Sequence, residues 1–328
     1  MMEGAGIFMQ NGLTVVAVLL VSTLAWELLQ ILRARAPRPE NVHQQIMGCG
    51  PALAADTRIP KIIWSYWHSE LTPEFVSLCR ANWQRLNPGH EIRFLHRANF
   101  EPWLEGDQGG TEFEQLPPYR QADWLRLQLL ARHGGIWLDA TIVLTESLDW
   151  VHRLQQEHAS EYLGFYLQGY SKQAELPMLE NWFIAAVPGS PFIQAWATEL
   201  EKALRLGEAP YLQDLKTAGR LERVAQNLPA RMQQYLVMHM AAAAVLDESS
   251  DQYRLFVLRA EDSALCLHAS LRWRKKHLYA RLALSPCPAR VPALVKIRGS
   301  DRRLLERGLA KKRYLRSSFV QRFLISAA

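Results

Sequence analysis

The chain has 328 residues, of which 49% are apolar and 10% aromatic, with eleven tryptophans and a formal net charge of +6. That composition excludes a disordered chain, and the length suffices for one large or two modest domains with a sizeable core. The positive charge is uneven: from Arg290 to Arg322 eleven Lys or Arg face two acids, a local net of +9, which suits anionic lipid and nucleic acid equally and must be decided on other grounds.

Gly12 to Trp26 is uncharged and mostly apolar, and reaches the roughly 17–25 residues of a membrane span only by including Glu27 and Gln30. A membrane anchor, an amphipathic surface helix and a buried helix all fit this pattern. A cleaved signal peptide fits less well, because Glu3 rather than a basic cluster precedes the apolar run. Arg33, Arg35 and Arg38 follow it, so the positive-inside tendency turns the body of an anchored protein toward the cytoplasm. The cysteines, Cys49, Cys79, Cys266 and Cys287, have neither metal nor redox spacing, and no Asn-x-Ser/Thr acceptor occurs. Both features suit a reducing compartment.

Pro37 and Pro39 end the first helix and open a linker over residues 39–58. Ile62 to Trp67 then reads as a strand. A helix follows from Thr72, a cap with Pro73 in the first turn, to the stop at Asn87-Pro88-Gly89. "EIRFLH" is a second, alternating strand, so the body opens strand, helix, strand, as α/β nucleotide-binding domains do. The next helix, "YRQADWLRLQLLARHGG", is apolar around most of its circumference and reads as buried. Asp123 and Arg126 share one of its faces, and Gly134-Gly135 gives the chain a left-handed exit.

After that exit comes "HGGIWLDATIVL", a run that reads as buried strand with one carboxylate, Asp139, inside it. An unpaired charge there is costly, so an arginine, a set of amide hydrogens or a metal should meet it. Further on, "NWFIAAVPG" reads as strand and turn, and a helix begins at Ser190. Residues 211–246 read as helical with a break near Pro229, and short apolar runs from Tyr253 to Leu267 suit strands. The basic region from residue 268 carries apolar residues among its charges, which suggests one or two amphipathic helices pressed on anionic lipid.

Three segments, "IPKIIWSYW", "ADWLRLQLLARHGGIWLDATIVL" and "ENWFIAAVPGSPF", resemble the bacterial capsular polysaccharide synthesis family, a branch of the sugar transferases with Asp-x-Asp regions. The resemblance runs from about Ile59 to Met240. It implies an α/β fold of the GT-A type, a twisted mixed sheet flanked by helices around a nucleotide-sugar site. The chain then divides into an N-terminal membrane anchor (1–38), a linker (39–58), a GT-A-like domain (59–267) and a basic membrane-associating region (268–328).

What the resemblance implies for function is glycosyl transfer, retaining and metal-assisted. The donor is a nucleotide sugar, a UDP-sugar first, and the acceptor a lipid-linked or polysaccharide surface glycan of capsule, exopolysaccharide or lipopolysaccharide. The setting is the inner face of the bacterial cytoplasmic membrane, in company with other synthesis proteins. Asp123, Arg126 and Asp139 are the catalytic candidates, and the same three with Trp67, Asn181 and Trp182 are the donor-binding candidates. Trp67 would lie by the base, and Asp123 and Arg126 by the ribose and sugar hydroxyls. Asp139, Thr141 and His239 are the candidate ligands of Mn²⁺ or Mg²⁺, which would stabilise the leaving diphosphate. The Asp-x-Asp pattern stands here as Asp139-Ala140-Thr141, the form common in the capsular branch, and a hydroxyl is a weaker ligand for a hard cation than a carboxylate. A non-catalytic glycan-binding or assembly subunit of the same machinery is the alternative reading. Nucleic acid is not expected as a partner, because the chain has neither a zinc-finger pattern nor an RNA-binding core.

Overall fold

The computed structural model describes residues 2–54, 56–104 and 110–326; of residues 2–15 and 110–112 it describes the backbone alone. Nine strands form among these residues: β1 Gln44–Met47, β2 Ile62–Tyr66, β3 Glu91–Leu95, β4 Gly135–Leu138, β5 Ile142–Leu144, β6 Tyr162–Tyr166, β7 Leu179–Ala186, β8 Leu255–Arg259 and β9 Leu294–Lys296. The longer helices are α1 Met2–Arg33, α2 Glu74–Leu86, α3 Pro118–His133, α4 Asp149–His158, α5 Pro191–Leu206, α6 Val237–Ser249, α7 Lys275–Ala283 and α8 Gly299–Ala310.

Seven strands make one mixed sheet in the order β1-β8-β6-β7-β4-β2-β3, and β5 pairs with β9 in a separate two-stranded sheet. Central strands β2 and β4 run parallel, and β7 runs antiparallel to both β4 and β6. Period-two alternation divides the strand residues between two apolar layers. Trp64, Trp137, Ile184 and Ala186 face a layer built with α3, α5 and α6. Ile63, Ile136, Phe183 and Ala185 face a second layer with α2, β5 and β9. The α/β class and the mixed sheet flanked by helices agree with the expectation.

The double glycine has two separate reasons. Gly134 (φ +60°) and Gly135 (φ +100°) both sit in the left-handed region. A Cβ on Gly134 would lie 2.6 Å from the nitrogen of Pro188, and one on Gly135 would lie 2.8 Å from the carbonyl of Ile62. The helix therefore turns directly into β4 against two neighbouring backbones.

The run from residue 135 to 144 is not one strand. β4 ends at Leu138; the amide of Asp139 donates to the carbonyl of Trp182 (2.9 Å), and Ile142 N donates to the carbonyl of Asp139 (3.0 Å). This turn carries the chain into β5, in another sheet. The free edge of β5 is satisfied by side chains of α2. Asn82 accepts from Leu144 N (2.9 Å) and donates to Leu144 O (3.0 Å), and the Trp83 indole donates to Ile142 O (2.8 Å). Asp139 therefore stands at a strand end rather than in a strand interior.

Two segments read as peripheral belong to the body. Within residues 39–58, β1 adds an edge strand to the main sheet beside β8. Within residues 268–328, β9 pairs with β5, and Leu305, Leu309, Phe319, Val320, Phe323 and Leu324 are buried in the second layer. A basic appendage separate from the core is not what forms: many apolar residues of this region face the domain, Arg281 and Asp301 are buried with partners of their own, and Arg302 and Arg303 reach the pocket. At the other end, α1 is the one helix among the described residues long and apolar enough to cross a membrane, with no part of Val16–Arg33 buried in the protein. Its last turn is tied down, since Ala34 and Ala36 enter the second layer and Glu27 pairs with Arg274 and His277.

Candidate active site

A pocket opens where α3, the end of β4 and α8 meet. Its wall includes Trp67, Asp123, Arg126, Asp139, Thr141, Asn181 and His239, together with Tyr235, Arg302 and Arg303. Seven of the eight sequence candidates thus share one cavity. Trp182 does not: its indole stacks on Phe165 (4.9 Å between centroids) and donates to Glu180 (2.5 Å), packing the far face of the sheet. β7 breaks its alternation here: Trp182 and Phe183 both lie in the second layer, the pairing with β6 shifts register between Gly164 and Tyr166, and Asn181 takes the pocket side.

The polar floor is a chain of charge-assisted hydrogen bonds. Asp123 accepts from Arg120 (2.9 Å) and from the Asn181 amide (3.0 Å), with Arg126 at 3.3 Å. Arg126 also donates to the Asn181 carbonyl, stands 3.4 Å from Asp139 and lies over the Trp137 ring (4.9 Å). Asp139 accepts from the Trp137 indole (3.1 Å) and from the Lys296 ammonium (2.5 Å). Burial raises the Asp139 carboxyl, but Lys296 and Arg126 outweigh it and hold the group below its ordinary range. The partner that this lone carboxylate required is thus a pair of protein cations.

Sequence reasoning missed Arg120 and Lys296. Arg120, 1% exposed, lies one turn before Asp123 on the same helix face and also donates to the carbonyls of Gln234 (2.6 Å) and Tyr235 (2.9 Å). Its i, i+3 spacing to Asp123 was a usable signal. Lys296 interrupts the apolar run "ALVKI" much as Asp139 interrupts its own, but only the β5–β9 register, with Ile142 opposite Lys296, joins the two.

The cation expected from the resemblance finds no fitting set of ligands. Asp139 has both oxygens committed to protein donors, and the Thr141 hydroxyl donates to the carbonyl of Ile297 (2.7 Å). His239 faces Glu180 at 3.8 Å. Among the described residues no three His, Cys, Asp or Glu side chains cluster as a metal site would require.

Residues 51–203 match the capsular polysaccharide synthesis protein family, so the family-level resemblance spans β2 to α5 and includes α3, β4 and Asn181. The O-glycosyltransferase braB of Annulohypoxylon truncatum is 28% identical over 159 residues, 43% of this chain and 37% of that protein. The glycosyltransferase afumC of Aspergillus fumigatus is 30% identical over 167 residues, 44% of this chain and 40% of that protein. The chain thus spans about two fifths of the length of these relatives. The solved PaToxG glycosyltransferase aligns over 66% of this chain and 87% of its own at 15% identity and a TM-score of 0.34, too low to establish a common fold.

Proposed function

We propose that the protein is a glycosyltransferase of GT-A-like architecture that moves a sugar from a nucleoside diphosphate donor, UDP-sugars first, to a surface-glycan acceptor. The observation that supports this most directly is the pocket itself. Two carboxylates, an asparagine amide and an arginine from α3, β4 and β7 converge beside an indole, within the stretch that matches the capsular family. Asp123 and Asp139 have lone pairs for the hydroxyls of ribose and sugar, and Trp67 offers a flat surface for the base. Transfer breaks the bond between the anomeric carbon and the phosphate oxygen, and the acceptor oxygen takes its place. In a retaining reaction the departing phosphate receives the acceptor's proton.

The acceptor is carried at a membrane in this reading. Supporting it are exposed α1, with Leu19, Leu24 and Trp26 turned to solvent, and the exposed run Arg272, Trp273, Arg274, Lys275 and Lys276 beside its base. We place the body on the cytoplasmic side, from the arginines after α1.

The test is a screen of nucleotide sugars with the full chain in detergent, following nucleotide release and then product linkage. Asp139→Asn should lower release by about 100-fold or more, as loss of a preorganised electrostatic group does, with unchanged circular dichroism. Full turnover in that variant removes Asp139 from the chemistry. A non-catalytic glycan-binding subunit is the second reading. It is favoured by the engagement of both Asp139 oxygens with protein donors, and would show glycan binding with no nucleotide release for any donor.

A further inference from the structure

The carboxylate that should hold a metal is bound instead to an ammonium and a guanidinium, and the elements that bring the extra positive charge lie outside the matched stretch 51–203. Lys296 ends β9; Arg302 and Arg303 stand in the first turns of α8. The described pocket wall carries three arginines against two aspartates, and both aspartates are already paired within the protein. Arg303 is exposed and has no ion-pair partner among the described residues. Arg302 is held by Glu306 (3.3 Å) and lies over the Trp67 indole, 5.0 Å from its ring. The surplus charge on this wall is therefore positive, in the same cavity as Asp123 and Asp139, where the diphosphate between ribose and sugar would lie in the reading above. Arginine forks match phosphate oxygens in pairs.

Resting on the glycosyl-transfer reading above, we propose that β9 and α8 stand in for the divalent cation. Lys296 neutralises and positions Asp139, and Arg302 and Arg303 receive the donor's diphosphate, so that nucleotide binding and transfer need no metal. When the anomeric carbon–oxygen bond breaks, its electron pair stays on the terminal phosphate oxygen. Arg302 and Arg303 offset that charge, and the proton of the acceptor hydroxyl passes to the departing phosphate. Lys296 acts through Asp139 and does not touch the donor.

The test uses the full chain in detergent, stripped with EDTA, and uridine diphosphate as the probe, with binding followed by calorimetry. Affinity should stay within about twofold whether EDTA or Mn²⁺ is present, a negligible free-energy difference. Arg302→Ala and Arg303→Ala should each weaken binding by about tenfold, the value of a charge-assisted hydrogen bond. Lys296→Met keeps the apolar stem and uncovers Asp139. It should bind weakly in EDTA and regain affinity with Mn²⁺, a metal response that a merely structural lysine would not produce. Lys296→Arg should behave as the parent protein. Equal thermal melting of the variants establishes that they fold. Binding by the parent protein that appears only with Mn²⁺ overturns this proposal and leaves glycosyl transfer standing. No binding of uridine, guanosine, adenosine or cytidine diphosphate under either condition overturns both.

Discussion

Asp123 has two duties that one experiment separates. Arg120 is buried to 1% exposure, and Asp123 is one of its two carboxylate partners. Asp123→Ala should therefore cost about 1.5–3 kcal/mol in urea unfolding, because it removes a charge-assisted partner of Arg120 and leaves that buried arginine to Glu208 and the carbonyls of Gln234 and Tyr235. Asp123→Asn keeps the oxygen and should cost less, so donor affinity is properly measured on that variant. A second residue-level expectation concerns pH. His90 faces His152 (2.9 Å between their Nε2 atoms), and burial, then His152, then Lys61 lower it to about 4, with Asp149 opposing weakly. The folded protein holds this ring neutral while the unfolded chain takes up a proton below about 6.5. The contribution is thus fully present above pH 6.5 and is lost as pH falls toward about 4. His90→Gln should flatten the decline in urea midpoint between pH 6.5 and 4.5; an unchanged slope would assign that decline to other groups.

Helix packing behind the pocket makes a separate prediction. α5 begins at Ser190, whose hydroxyl accepts from Ile193 N (3.3 Å) and donates to Glu161 (2.6 Å), with Pro191 in the first turn. It packs Trp196 against α6, where Ala241 to Ala244 allow close approach and the indole donates to Met238 O (2.8 Å). Trp196→Ala should cost about 3–5 kcal/mol in urea unfolding. Should the loss be under about 1 kcal/mol, the site has collapsed around the vacancy. Much of this local structure was legible: the Ser190-capped, Pro191-started helix and the glycine exit follow from nearest neighbours in the chain, whereas at α2 Pro73 rather than Thr72 takes the cap position and the helix begins at Glu74. What was not legible is their partnering. An apolar run of ten residues gives no sign of breaking between two sheets, because its periodicity fits either course. The candidate site was readable as a set of residues on α3 and β4, but its charge balance was not. Lys296 and Asp139 meet across 157 positions, and only strand register brings them together.

Seen whole, the charge of the molecule is divided between two tasks. Arg302 and Arg303 turn to the pocket, whereas Arg272, Arg274, Lys275 and Lys276 are exposed near the base of α1. Each of the latter should contribute about 1 kcal/mol against an anionic bilayer. The chain lacking residues 1–24 should still co-sediment with phosphatidylserine vesicles at low salt and detach near 0.5 M salt, where screening is short-ranged. Arg272→Glu with Lys275→Glu and Lys276→Glu should abolish that retention, and retention without these charges would move the contact elsewhere on the surface.

The stretch 51–203 contains β2 to β7 but neither β8 nor β9. Cut out and expressed by itself, it would expose the main-chain groups of β6 that β8 now covers and leave β5 without its mate. Bare strand borders of this kind recruit other chains. Such a fragment should precipitate rather than fold, and the smallest unit of this protein that folds should have to extend past Leu324, whose side chain is buried in the second layer.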